Sequence, residues 1–97
     1  MAVDFNRGQD AGVTQEQIDA VTEAMQILAE EDRERGVDPG VEFICPGCQR
    51  ARPMPGSVLY EAVRLCNGCA TEFEVARIGH RAKTCAEWLS GRAARRH

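Results

Sequence analysis

Five cysteines are the residues of this sequence best equipped for chemistry, and four of them fall in pairs. Cys45-Pro46-Gly47-Cys48 and Cys66-Asn67-Gly68-Cys69 are two Cys-x-x-Cys pairs separated by 17 residues. That is the spacing of a four-thiolate structural zinc site, so Cys45, Cys48, Cys66 and Cys69 are the expected ligands of one Zn2+. Two intervening residues let the backbone turn until both sulfurs of a pair face an ion about 2.3 Å away. Gly47 and Gly68 are expected to permit the tight turn each knuckle needs. Four sulfurs complete a tetrahedral ion and leave no position for water or substrate, which points to structure rather than catalysis. The competing use of Cys-Pro-Gly-Cys is dithiol redox exchange, but a redox site wants a strand-helix scaffold and has no need of a second pair.

The other reactive residues carry less. Cys85 lies on an apolar helical stripe, where a lone cysteine reads as a small core residue. His80 sits in a charged stretch and reads as a solvated side chain. His97 is terminal and uninformative, and Trp88 beside the stripe reads as a packed residue at a helix end. No Ser/His/Asp set, phosphate-cradling glycine loop or carboxylate pair appears, so no enzyme activity and no small-molecule substrate are expected.

The elements that must position the thiols belong to a single domain, since 97 residues fit one. A chain of this length buries only about 60–65% of its extended surface, so its core is marginal unless something staples it. A structural zinc ion contributes roughly 10–16 kcal/mol against a total stability of about 5–15 kcal/mol. Residues 1–13 contain Asn6, Gly8 and Gly12 with no periodic apolar pattern and are expected to form a flexible acidic arm. Thr14-Gln15-Glu16-Gln17 is a capping box that opens a helix over residues 14–36, with Val13 and Ile18 as its hydrophobic staple. Ile18, Val21, Met25 and Leu28 form its stripe, while Gly36 and Pro39 supply the stop. The zinc module then spans 37–69, with Phe43-Ile44 as a strand, a turn cluster at Pro53, Pro55 and Gly56, and Val58 to Leu65 as either a strand or a helical turn. A second helix is expected over 70–90, with Val75, Ile78, Ala82, Cys85 and Leu89 on its stripe and Ser90-Gly91 as its end. A basic tail over 91–97 follows. The fold class expected is mostly α, with a small zinc-ribbon or treble-clef-like module between a long N-terminal helix and a C-terminal helix, whose seams can bury against each other as an antiparallel pair or against a target.

Charge divides the chain. Residues 1–44 hold 11 acids and 3 arginines, a charge of −8, whereas residues 45–97 hold 9 basic groups and 4 acids, a charge of +5. An acidic half of that size is repelled by bulk nucleic acid, which favours a protein partner. No apolar run approaches the roughly 18 residues of a membrane span, and 28% of residues are charged, so no membrane partner is expected. The start Met1-Ala2-Val3-Asp4-Phe5 lacks the basic and apolar pattern of a secretory signal, and a cytoplasmic setting would keep the thiols reduced for metal.

The order of acidic arm, long helix, Cys45-x-x-Cys48, 17 residues, Cys66-x-x-Cys69 and following helix resembles the DksA/TraR family, above all the short TraR-type members of plasmids and phages. The resemblance covers roughly residues 4–80 and rests on the pair spacing and element order. It implies a regulator of transcription that binds bacterial RNA polymerase in its secondary channel, with the zinc module at the rim. By position, Cys45, Cys48, Cys66 and Cys69 match the family's ligands. Asp4, and after it Asp10, fall in the arm that acts near the polymerase active site, and Arg50 and Arg52 fall in a segment that faces the polymerase. Gln49 departs from the family, which usually has glycine after the second cysteine, as do the prolines at 53 and 55 and the longer tail. Two other functions stand beside this one. A small zinc protein would contact nucleic acid or the ribosome through Arg50, Arg52, Arg64 and the tail from Arg92 to Arg96, and an antagonist or interaction module would use an exposed helix seam.

Overall fold

The computed structural model describes residues 12–95, with side chains described as far as Arg92. Asp4 and Asp10 of the expected arm, and the last two residues of the tail, lie outside the described residues. The order of elements is α1 (Gln15–Glu34), β1 (Glu42–Cys45), β2 (Arg50–Pro53), β3 (Val58–Tyr60), β4 (Val63–Leu65), α2 (Asn67–Ile78) and α3 (Cys85–Arg95). The strands form two antiparallel hairpins, β1 with β2 and β3 with β4. Three helices and two small sheets therefore replace the mostly α chain expected, because the segment between the cysteine pairs is almost entirely hairpin.

The first helix begins where its punctuation says. Thr14 Oγ1 accepts from the Gln17 N–H at 3.1 Å, and Gln17 Oε1 accepts from the Thr14 N–H at 2.9 Å. Its end is a Schellman turn in which Gly36, at φ 95°, takes the left-handed position and the Val37 N–H reaches the Asp32 carbonyl at 2.9 Å. The staple packs as expected, with Val13 and Ile18 buried against Val75 of α2.

The expected single helix over 70–90 is two helices. Gly79 caps α2, His80 adopts φ 60°, and the Arg81 N–H reaches back to the Ala76 carbonyl at 2.9 Å. This is a second Schellman turn, with histidine where glycine is usual. A new start follows at Thr84, whose Oγ1 accepts from the Glu87 N–H at 3.1 Å while Glu87 Oε1 accepts from the Lys83 N–H at 2.8 Å. Helix α3 then runs through Ser90-Gly91 to Arg95, so those two residues do not end it.

Helices α1 and α2 are antiparallel, since Ile18 meets Val75 near the far end of α2 while the Met25 carbonyl accepts from Asn67 at its start, at 2.9 Å. Phe73, which lies off the expected stripe, is the largest fully buried side chain. Tyr60 packs on it edge-on with centroids 4.9 Å apart, and Trp88 lies tilted at 5.9 Å. This aromatic row joins the second hairpin, α2 and α3 around the cysteines. Among the described residues, no helix is long and apolar enough to cross a membrane.

Candidate metal centre

The first hairpin and the start of α2 deliver the four paired cysteines to one point. Cys45 ends β1 and pairs in register with Arg50 of β2, so Cys48 falls in the connecting turn. That turn is closed by the Gln49 N–H on the Cys45 carbonyl at 2.6 Å. Gln49 itself adopts φ 60°, the left-handed conformation that explains why glycine is favoured after the second cysteine of such a knuckle. The second pair comes from a helix N-terminus: Cys66 is the N-cap of α2, and its sulfur accepts from the Cys69 N–H at 3.5 Å. The Cys66 N–H in turn donates to Cys45 Sγ at 3.3 Å, which links the pairs.

All four sulfurs lie within 4.8 Å of one another. Tetrahedral coordination at about 2.3 Å requires sulfurs about 3.8 Å apart, so a small contraction brings this set onto one ion. Cys45, Cys66 and Cys69 are buried, Cys48 is half-buried, and every cysteine is free of disulfide. The four cysteines thus lie close together and can coordinate one metal ion.

Electrostatics agree with that use. Burial pushes the Cys66 thiol up, and burial followed by the charge of Cys66 pushes Cys69 up. Burial acts on Cys45 in the same direction, but backbone N–H groups of Cys66, Cys48 and Gly47 outweigh it and bring that thiol down to about 7. Cys45 is therefore prepared to ionise near neutral pH, whereas Cys66 and Cys69 need a cation to lose their protons.

The two knuckle glycines are not equivalent. A Cβ on Gly47 would lie 2.8 Å from Cys69 Sγ and 3.2 Å from Trp88 Cζ3, so only glycine lets the knuckle close over the second pair. Gly68 sits in the first turn of α2 with nothing within 4 Å of an added Cβ, and the tight-turn role expected for it does not hold. A helix start supplies the geometry there without a special backbone.

Of the basic residues singled out from the sequence, Arg50 is exposed on β2 and Arg52 is half-buried two residues on, with a buried Nε that has no hydrogen-bond partner. Arg64 Nη1 donates to Ser57 Oγ at 2.8 Å. Arg92 is drawn inward: its Nε donates to the Gly47 carbonyl at 2.7 Å, its Nη1 meets Glu72 Oε1 at 2.7 Å, and its guanidinium lies 4.9 Å from the Trp88 ring centroid. Cys85 is buried in the main core, the place expected of a small apolar residue, and burial pushes its thiol up. His80 is exposed.

Of three supporting residues, Asn67 and Asp32 carry no sequence signal and Gly56 carries only that of a turn. Asn67, inside the second pair, donates to the Met25 carbonyl at 2.9 Å and the Gly56 carbonyl at 3.1 Å. Buried Asp32 accepts from the Gly56 N–H at 2.9 Å and pairs with Arg35. Gly56, at φ 82°, is the hub of this junction, and a Cβ there would lie 2.8 Å from Ala29 Cβ of α1. Scans of family models, curated proteins and solved structures find no match to this chain.

Proposed function

We propose that this chain is a non-enzymatic transcription regulator, a zinc-stabilised module of treble-clef-like form that binds bacterial RNA polymerase. Zinc is the ion assigned to the four-cysteine cluster, because tetrahedral all-sulfur sites suit it and its role here is structural. One observation carries the choice of a protein partner: six acids of α1 stay in solvent while three arginines of the C-terminal half are engaged within the chain. Glu16, Asp19, Glu23, Glu30, Glu31 and Glu34 are all exposed on a helix of 20 residues, a rod about 30 Å long. Arg64, Arg77 and Arg92 are each held by a side chain or carbonyl of the chain itself. An acidic rod suits a basic protein channel, whereas a nucleic-acid reader needs its cations outward.

The first hairpin supports a docking role at the rim. Ile44, which is 69% exposed and pairs with Ala51 across the ladder, presents an apolar side chain on one face of this hairpin, and Arg50 is exposed at the turn end of β2. Exposed apolar and arginine side chains on one small element suit a protein interface. The resemblance to the DksA/TraR family supplies the particular partner, and Asp4 and Asp10 of the arm are the residues it would bring towards the active site. The cytoplasm, where thiols stay reduced, is the compartment this function needs.

Capture on purified core polymerase, followed by transcription in vitro with the parent and an Asp4→Ala variant, tests the proposal. The expected result is binding by both and altered transcription by the parent alone. Absence of binding at micromolar concentration overturns it, and an affinity for DNA or ribosomes that falls steeply with salt would favour the nucleic-acid alternative.

A further inference from the structure

Arg92 does more than tie down the last helix. The carbonyl it grips belongs to the Gly47–Cys48 peptide, and the N–H at the other end of that peptide is one of the backbone donors acting on Cys45 Sγ. A guanidinium at the oxygen end polarises the amide, so its N–H becomes a stronger donor to thiolate. Trp88 closes over the same glycine, since an added Cβ at Gly47 would meet its Cζ3 at 3.2 Å. Glu72 of α2 fixes the guanidinium from the opposite side at 2.7 Å. Two groups of α3 thus converge on one residue of the knuckle, and one of them is held in turn by α2, although none of the three is a ligand.

We propose that α3 is an outer support of the four-thiolate centre: Arg92 holds the Gly47 carbonyl, so metal binding and the docking of α3 strengthen each other. Arg92 is a positioning residue in this scheme, acting through the peptide rather than on the ion. Linkage makes the effect reciprocal, so whatever factor the metal adds to docking of α3, docking adds to metal affinity. The proposal rests on the reading of the four cysteines as a metal site, and the test separates the two.

Cobalt(II) serves as the probe, because its sulfur charge-transfer absorption reports thiolate coordination directly. Competition with a chelator measures affinity for the parent, Arg92→Ala and Arg77→Ala, while acrylamide quenching of Trp88, the single tryptophan, measures docking of α3. Arg77 stacks on Phe73 at 5.5 Å and touches no part of the knuckle, which makes it the control. Arg92→Ala is expected to bind one equivalent with an unchanged spectrum but about 10- to 100-fold more weakly, as for other outer residues of metal sites, with Trp88 more quenchable. Arg77→Ala is expected to match the parent. Should Arg92→Ala lose its helical circular dichroism, Glu72→Gln carries the test, because it loosens the seat of Arg92 and keeps its charge. Equal affinity of the folded Arg92 or Glu72 variant and the parent overturns the coupling and leaves the metal site standing. A parent that binds no cobalt overturns both.

Discussion

Replacing Gly47 with alanine puts one methyl group into one of the two tightest glycine positions among the described residues. The new Cβ would lie 2.8 Å from Cys69 Sγ, 3.1 Å from Cys69 Cβ and 3.2 Å from Trp88 Cζ3. Comfortable contacts between such atoms begin near 3.5 Å, so Cys69 or the knuckle must yield by about 0.7 Å. Metal–ligand distances tolerate deviations of only about 0.2 Å, so the displacement cannot be absorbed at the ion. Neither can Trp88 withdraw freely, because Phe73 lies behind it and Arg92 over its face. Overpacking of this kind costs about 1–3 kcal/mol, which corresponds to a loss of about 5- to 150-fold in metal affinity. Gly68→Ala is the matched comparison. It occupies the same place in the second pair, meets nothing within 4 Å and lies in a helix, so it should leave affinity intact and add up to about 1 kcal/mol of stability. Cobalt titration against a chelator and urea unfolding measure the two quantities. Equal behaviour of the two alanine variants, in either assay, would refute the claim that close approach rather than turn formation is why Gly47 is glycine.

Other expectations follow from the same geometry. Gln49→Gly relieves a left-handed φ of 60° and should raise stability by up to about 1 kcal/mol in urea unfolding without changing metal content. Cys48→Ser should abolish tight metal binding, whereas Cys85→Ala should retain one equivalent by metal analysis and lose about 1–2 kcal/mol through its small core cavity. In chelator and reductant, stability should fall as pH rises above about 9, the ordinary value for cysteine. The sign comes from Cys66, Cys69 and Cys85, whose thiols are raised in the fold and so ionise first in the unfolded chain. Cys45 acts in the opposite sense: its stabilisation is present above about 9 and is lost as pH falls from there through about 7, so it changes little once the pH exceeds about 9. Melting curves at pH 9 and 10.5 check this, and a higher melting temperature at the more alkaline pH would contradict it.

The limits of α1 were legible because both of its ends use side chains or glycine in their usual roles, a Thr14–Gln17 box and Gly36 at the left-handed position. The cysteine cluster was legible because pair spacing is itself a geometric constraint. The division of the C-terminal half was hidden by His80, which takes a conformation that glycine normally announces. A signal for the restart was present in Thr84-Cys85-Ala86-Glu87, a capping-box pattern masked by an apolar stripe that runs through it. The second hairpin was ambiguous for the same reason, since its turn residue Glu61 adopts φ 54° without glycine or asparagine. Arg92 read as part of a basic tail because no local pattern shows that a side chain will fold back 45 residues to a carbonyl.

The acidic helix and the metal module are physically one device. A lone helix of 20 residues with a narrow apolar stripe is marginal in water, so α1 depends on what it packs against. Its contacts lie on the module at three heights: Ile18 on Val75, the Met25 carbonyl on Asn67, and Asp32 on Gly56. Asn67 lies between two of the thiols, and Gly56 is joined to it through its own carbonyl. Under the proposed function, release of the ion would free the start of α2, and with it the two polar contacts that fix the direction of the rod. The six exposed acids would then keep their charge but lose their common orientation. Metal would thus act on a partner the ion never touches, by deciding whether α1 is presented as a rigid probe or as a fraying segment.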